Sequence, residues 1–299
     1  MMGFTDRLDK SHISYVLDEP MSSHTTFKIG GKADYLITVD TEAELIEALS
    51  ACKDNNIPYM ILGNGSNLLI SDDGIEGAVI ALSGEFKEIS VDGDTITAGA
   101  GAKLSKLCTV ALDNSLGGLE FAYGIPGSVG GAVYMNAGAY GGEMKDVVFS
   151  VIALTRNGEL KTYAADKLQL GYRTSVFKTN GDIILYSKYK LHNDSKEAIK
   201  ARMDDFMHRR VTKQPLEYPS AGSVFKRPEG AFAGTLIEQC GLKGKTVGGA
   251  QVSEKHAGFI INIGSATCDD VMNLVKLVQD TVKAETGYSL EREIIRTGR

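Results

Sequence analysis

The sequence predicts an α+β protein, with a larger strand-rich N-terminal part and a smaller C-terminal one. Three observations predict it. Short apolar runs of strand length, separated by turn residues, fill most of the chain up to about residue 193. Amphipathic helical patterns with their own start and stop signals interrupt those runs. A further helical pattern opening at Asp194-Ser195-Lys196-Glu197 then marks a change of rhythm, and the chain beyond it ends in one long helix and a final strand.

In chain order, Thr41-Glu42-Ala43-Glu44 reads as a capping box for a helix with Leu45, Ala48, Leu49 and Cys52 on one face. Asn55-Asn56 and Pro58 stop it. Strands are expected at 59–62, 68–70, 77–82, 86–91 and 94–98, with a hairpin turn at Asp92-Gly93. A helix from about Ala102 to Leu116 is punctuated by Gly117-Gly118. Strands follow at 147–155, 158–163 and 182–191, the first two joined by Arg156-Asn157-Gly158. The helix from Asp194 shows Ile199, Met203 and Phe206 on one face and runs to about Val211. A short helix near 233–240 and a strand at 258–263 come next. Thr267-Cys268-Asp269-Asp270 caps the long helix, which turns Val271, Leu274, Val275, Val278 and Val282 inward and ends at Gly287. Leu290–Ile295 reads as the last strand.

Composition narrows the function. Apolar residues make up 43% and charged residues 23% of 299, the profile of a soluble protein. A net charge of -6, with no basic run longer than Arg209-Arg210, argues against nucleic acid. No apolar stretch approaches bilayer length, and Met1–Ser11 is too polar and acidic for a signal peptide, so the expectation is a cytoplasmic chain without a membrane partner. Cys52, Cys108, Cys240 and Cys268 form no CxxC pair and are expected to be free thiols. The five histidines show no metal-ligand spacing, so no metal is expected.

The unusual number is 34 glycines, clustered at 30–31, 63–65, 99–101, 117–118, 124–142 and 241–249. Such clusters let main chain approach a large ligand closely; tight turns in a strand-rich protein explain any one of them equally well. The run Gly63-Asn64-Gly65-Ser66-Asn67 lacks the third glycine of a dinucleotide fingerprint, and Gly244-Lys245-Thr246 lacks the upstream glycine of a P-loop. What remains for Gly63–Asn67 is a nest of backbone N–H groups for an anion, or an Asn-Gly turn. The later run Tyr123–Ala132, small residues around the rigid Pro126, offers a second narrow cradle. Two cradles suit a ligand with a diphosphate at one end and a flat ring at the other.

These residues carry a resemblance. "LGNGSNLL" followed by "GLEFAYGIPGSVGGAVYMNAGAYGGE" resembles the flavin-binding half of the UDP-N-acetylenolpyruvoylglucosamine reductase family, whose relatives include the vanillyl-alcohol-oxidase class of flavoproteins. "TTFKIGGKADY", "GYRTSVFK", "KQPLEYPSAGSVFKRP" and "LEREI" extend it over nearly the whole chain in family order. The resemblance implies an enzyme that uses NADPH to reload a bound, non-covalent FAD. It would reduce the enol ether of UDP-N-acetylglucosamine enolpyruvate to UDP-N-acetylmuramate for peptidoglycan. It also implies a two-part FAD-binding domain over 1–194, divided near 82/83, and a substrate-binding domain over 195–299. Gly63, Asn64, Gly65, Ser66 and Asn67 would hold the pyrophosphate. Ile125, Pro126, Gly127, Ser128, Gly130 and Gly131 would lie along the flavin.

Adding hydride to that double bond places negative charge beside a carboxylate, so the reaction needs a fixed cation and a proton source. By motif, Arg173 of "GYRTS" would hold the carboxylate with its permanently charged planar fork. Ser223 of "AGSVFK" would donate the proton, although a serine after glycine is ordinarily a turn residue. Glu293 of "LEREI" would assist as a protonated hydrogen-bond donor. Strand alternation puts Glu291 and Glu293 on one face, and only the family pattern selects the second. Lys213 resembles a lysine near the substrate phosphates; a solvated helix-end lysine is the competing reading. The short interval between Arg173 and Ser223 resembles the shorter of the family's two types, which lacks a substrate-clamping tyrosine. Tyr140, Tyr172 and Tyr218 are unranked candidates for that cover. A flavin-dependent oxidase of the same fold and a non-catalytic nucleotide-sugar binding protein are the alternatives. No obligate protein partner is expected.

Overall fold

The computed structural model describes residues 3–299. Two compact units divide the chain. The first contains the chain up to Val16 with Leu36–Asn64 and Ala78–Arg210; the second contains Leu17–Tyr35, Gly65–Gly77 and Val211–Arg299. This partition by compactness differs from a single cut at 194, because two early segments belong with the C-terminal residues and the helix Lys196–Lys213 begins in the first unit.

The first unit is built on a five-stranded antiparallel sheet in the order Leu160–Ala164, Val148–Leu154, Ile183–Lys190, Thr95–Gly99, Ile89–Asp92. Both expected hairpins form: Leu154 pairs with Leu160, and Asp92 with Thr95 around Gly93 at φ 58°. The helix Leu104–Asp113 buries Leu104, Leu107, Cys108 and Ala111, an apolar stripe that fixes which face meets the core. It is shorter than the sequence pattern suggests, because Leu116-Gly117 leaves it to pair with His192-Asn193. Tyr59–Leu62 runs parallel to residues 78–81 of Ile75–Leu82. The helix Glu42–Asp54 keeps its Thr41 cap, whose hydroxyl accepts from the Glu44 N–H at 3.2 Å. Here the expected reciprocal half is displaced: the Glu44 carboxylate reaches the Asp40 N–H at 2.7 Å.

The second unit packs the helix Cys268–Thr286 against a three-stranded sheet of Thr246–Val247, Ala250–Val252 and Ile260–Asn262. Val271, Leu274, Val275, Val278 and Val282 are all buried in that core, together with Phe27, Leu69, Val224 and Ile294. Each such side chain contributes about 1.5–3 kcal/mol relative to exposure. Thr267 and Asp270 cap the helix reciprocally, and Gly287 in the left-handed region closes it. The Thr267 and Gly249 N–H groups both donate to the Asp270 carboxylate at 3.1 Å and hold it below the usual carboxylate range.

The expected strand at 290–295 is a correction. The regular strand is Ile295–Thr297, parallel to Leu68–Ile70; residues 291–293 are held to 224–226 by isolated bonds. Two strands, Ser14–Pro20 and Lys32–Val39, and the short helix Val129–Tyr134 carry no expectation from the sequence. All four cysteines are free, and Cys52, Cys108 and Cys268 are buried. No helix is long and apolar enough to cross a membrane. Among the described residues no group of three or more His, Cys, Asp or Glu is placed to hold a metal ion.

His256 closes the turn before Phe259: its Nδ1 accepts the Gly258 N–H at 3.1 Å and its ring meets Phe259 edge-on at 5.0 Å. Burial pushes its pKa below 6.5, Lys243 adds to that and Glu238 opposes it. A depressed histidine contributes stability above the unfolded value that is lost as pH falls through the folded one, since the unfolded chain then binds the extra proton. Denaturant unfolding between about pH 7 and about pH 5 should therefore show stability falling with acid. His256→Asn should flatten that slope; an unchanged slope would remove His256 from the pH dependence.

Candidate active site

The first unit brings two glycine-rich loops together. A side chain at Gly63 would run into Ser128 Oγ, and the Asn64 amide donates to Pro126 O at 2.8 Å. The second loop is held from below by the strand end and helix start at 100–104. Leu104 N–H donates to Gly127 O, Val129 N–H to Ala102 O, and Gly130 N–H to Ala100 O, each at 2.9 Å. Gly130 is required there, because a Cβ would sit 2.8 Å from Ala100 Cβ. Ser128 caps the helix Val129–Tyr134, its hydroxyl accepting the Gly131 N–H at 3.2 Å. Gly63, Asn64, Pro126 and Gly131 remain exposed, so main chain is open along one side of the paired loops. Arg210 packs along Gly124 at the start of the second loop; burial lowers its pKa and Tyr140 opposes the shift.

Arg173 stands at the other end of the same short helix. It occupies a tight turn in which Gly171 and Thr174 exchange backbone hydrogen bonds at 3.2 and 3.3 Å, with Arg173 itself at φ 55°. Left-handed backbone at a long side chain costs of order 1–3 kcal/mol and persists only where the surroundings impose it. They do so here. Ser175 Oγ donates to Tyr134 O at 2.8 Å, Lys178 Nζ to Arg173 O at 2.8 Å, and the buried Asn136 amide to Gly171 O at 2.9 Å. The guanidinium lies 5.1 Å from the centre of the Tyr172 ring. Asn136, Glu143, Lys178 and Arg210 are contributors that the sequence reading passed over.

The second unit assembles three of the remaining residues. Glu293 N–H donates to Val224 O at 2.7 Å, beside Ser223, and Asn67 Nδ2 donates to Glu293 O at 3.2 Å. Ile295 N–H returns to Asn67 O at 2.9 Å. Ser223 is exposed and bridged to Phe259, following Gly222 at φ 77°. The two glutamates separate clearly: Glu291 is 75% exposed and ion-paired with Lys226 at 3.0 Å, whereas Glu293 is half-buried beside Ser223 and Asn67. Gly65, at φ 60°, faces His24 O, so any side chain there would displace the 24–25 segment. Ser66 and Asn67 are half-buried, and Lys213 is the exposed last residue of its helix. Of the three tyrosines, Tyr140 is engaged within the first unit, stacked on Phe206 at 4.8 Å and 2°.

Comparison with known proteins fits this construction. A model of the FAD binding domain matches residues 33–164, so the chain is a FAD-binding protein, and its fold is of the vanillyl-alcohol-oxidase type. Physcomitrella patens BBE-like 1 shares that fold at 14% identity and a TM-score of 0.50, over 97% of this chain and 61% of its own. A model of the UDP-N-acetylenolpyruvoylglucosamine reductase C-terminal domain matches residues 214–297. UDP-N-acetylenolpyruvoylglucosamine reductase of Clostridium botulinum (strain Okra / Type B1) is 50% identical over 294 residues, covering 98% of this chain and 95% of its own. The crystal structure of the corresponding reductase from Thermus caldophilus superposes with a TM-score of 0.82 at 39% identity, over 95% of this chain and 98% of that one. The chain belongs to the UDP-N-acetylenolpyruvoylglucosamine reductase family.

Two predictions follow from this geometry. Gly131 is exposed on the cradle side, and a Cβ there would meet only Ser128 Oγ at 3.1 Å. Gly131→Ala should leave folding stability within about 1 kcal/mol, since alanine favours the helix, yet weaken FAD retention. Full flavin occupancy after gel filtration would remove this face from the cofactor site. At the strained turn, Arg173→Gly should be more stable than Arg173→Ala by about 1 kcal/mol, because only the alanine keeps a Cβ at positive φ. Equal melting temperatures would mean the turn carries no strain.

Proposed function

We infer that this chain catalyses the NADPH-driven, FAD-dependent reduction of UDP-N-acetylglucosamine enolpyruvate to UDP-N-acetylmuramate, a step of peptidoglycan precursor synthesis. The observation that supports the site assignment is that Glu293 is half-buried and tied through its backbone to Asn67 and to Val224, the residue after Ser223, while Glu291 is paired with Lys226 in solvent. The paired loops fit the cofactor: they are small, open along the main chain and free of carboxylate side chains between 63 and 67 and between 125 and 131. Gly63–Asn67 would hold the pyrophosphate and Ile125–Gly131 the ring. We assign flavin binding to residues 1–194 and substrate binding to residues 195–299, a division supported by the two family matches.

FAD, when bound, supplies hydride chemistry between NADPH and the enolpyruvyl double bond. The protein's task is to hold the charge and deliver the proton. Arg173 pairs with the substrate carboxylate, whose charge grows as the neighbouring carbon becomes carbanionic; a planar fork stabilises both oxygens at once. Ser223, exposed at its turn, gives its hydroxyl proton to that carbon and is reprotonated from solvent. Glu293, half-buried, would in its protonated form donate a hydrogen bond to the developing enolate. Lys213 answers the substrate phosphates from the exposed helix end.

The test separates the two half-reactions. Ser223→Ala should bind FAD and oxidise NADPH at near-normal rates, because neither process uses the hydroxyl. In stopped flow, reoxidation of the reduced variant by the enolpyruvyl substrate should slow by the ~10²–10⁴-fold typical of a lost general acid. Reoxidation at the wild-type rate would return Ser223 to the role of an ordinary turn serine.

A further inference from the structure

We propose that Asn136 is a positioning residue for Arg173: its buried amide fixes the Tyr172-Arg173 turn so that the guanidinium is presented to the substrate carboxylate. The proposal rests on the reading of Arg173 given above.

Asn136 is fully buried, at 0% exposure. Its Nδ2 donates to Gly171 O at 2.9 Å and to Glu143 Oε2 at 3.0 Å, while its Oδ1 accepts the Lys145 N–H at 2.9 Å. Only one orientation of the amide satisfies these partners, because the flipped group would set its oxygen against a carbonyl and a carboxylate. The amide is therefore a fixed bracket between the hairpin Gly138–Ala139/Gly142–Glu143 and the first residue of the Arg173 turn. Asn136 itself stands at φ 42°, a conformation asparagine tolerates better than most residues.

Each end of the bracket is anchored. At one end the hairpin carries Tyr140, stacked on Phe206, and Glu143, whose Oε2 lies 2.7 Å from Lys145 Nζ. That ion pair, seconded by the Asn136 amide and opposed by partial burial, lowers the Glu143 carboxyl from the ordinary glutamate range, and Arg173 contributes from further off. At the other end, Arg173 is held in a conformation that its own backbone disfavours. Releasing the Gly171 carbonyl lets the turn relax to negative φ and swings the side chain away from its present direction. Asn136 never needs to touch substrate to act.

The test is a double-mutant cycle on the FAD-loaded enzyme. Asn136→Gly removes the amide but tolerates positive φ. Asn136→Asp keeps the shape and the oxygen facing Lys145 while losing the donor, and carries the same test should the glycine variant fail to accumulate. Flavin content and reduction by NADPH should stay near wild type. Reoxidation by the enolpyruvyl substrate should slow by about 10²-fold, the usual cost of misplacing a catalytic group by about 1 Å. Affinity for the product UDP-N-acetylmuramate, read by calorimetry, should weaken in parallel, because it keeps the carboxylate. In an Arg173→Ala background the same Asn136 substitution should add almost nothing. Equal losses in both backgrounds would overturn the positioning role and leave Asn136 a general structural residue. Wild-type reoxidation in the Asn136 single variants would overturn it too. If Arg173→Ala alone reoxidised normally, the reading of Arg173 itself would fail, an outcome distinct from the additive one.

Discussion

The first unit depends on how closely one short helix can approach the strand end behind it. Val129–Tyr134 lies against Ala100–Ala102 with two 2.9 Å backbone hydrogen bonds, a separation that Gly130 permits and a Cβ would not. Everything assigned to flavin and carboxylate in that unit hangs on the ends of this helix. Its N-terminal side carries Ser128 and the loop facing Gly63 and Asn64. Its C-terminal side carries Tyr134 and Asn136, which grip the Arg173 turn. A helix of six residues thus joins the loop assigned to the flavin to the turn that carries Arg173.

The second unit solves a different problem, presenting a small hydroxyl without burying it. Ser223 is exposed, but its neighbours Val224 and Phe225 are buried, and the Glu293 and Gly258 backbones hold the segment on both sides. The long helix supplies the apolar mass beneath. An exposed serine on a buried backbone keeps contact with solvent for reprotonation while losing little positional freedom. That combination suits a proton donor better than a fully sequestered hydroxyl would, because a buried donor must be resupplied through the protein.

Much of this was legible in the sequence where a local rule governs. The Thr267 box, the stop at Gly287, the hairpin glycines and the inward face of the last helix follow from capping and periodicity, and the structure contains them. The strand at 290–295 was placed too early, because its alternation is shared by residues that pair only through isolated bonds. Ser14–Pro20 is exposed along most of its length, so it shows no apolar alternation to read. The shift of Glu44 from Thr41 to Asp40 is a matter of one side chain's reach, which a motif does not encode.

The site was legible in a different manner. Glycine clusters announced close approach of main chain, but not that the loops at 63–64 and 125–131 approach each other. Periodicity placed Glu291 and Glu293 together, and tertiary context parted them: one is bound to Lys226 in solvent, the other is drawn between Val224 and Asn67. Asn136 was invisible for a related reason. Asparagine next to small residues reads as a turn, and its left-handed φ agrees with that reading. What distinguishes it is complete burial with both amide N–H groups and the amide oxygen engaged, one N–H reaching across 35 residues to Gly171, a property of the folded chain and not of any local pattern. Residues that touch substrate carry recognisable chemistry in their own type. Residues that aim them carry it in their partners, and partners are supplied only by folding.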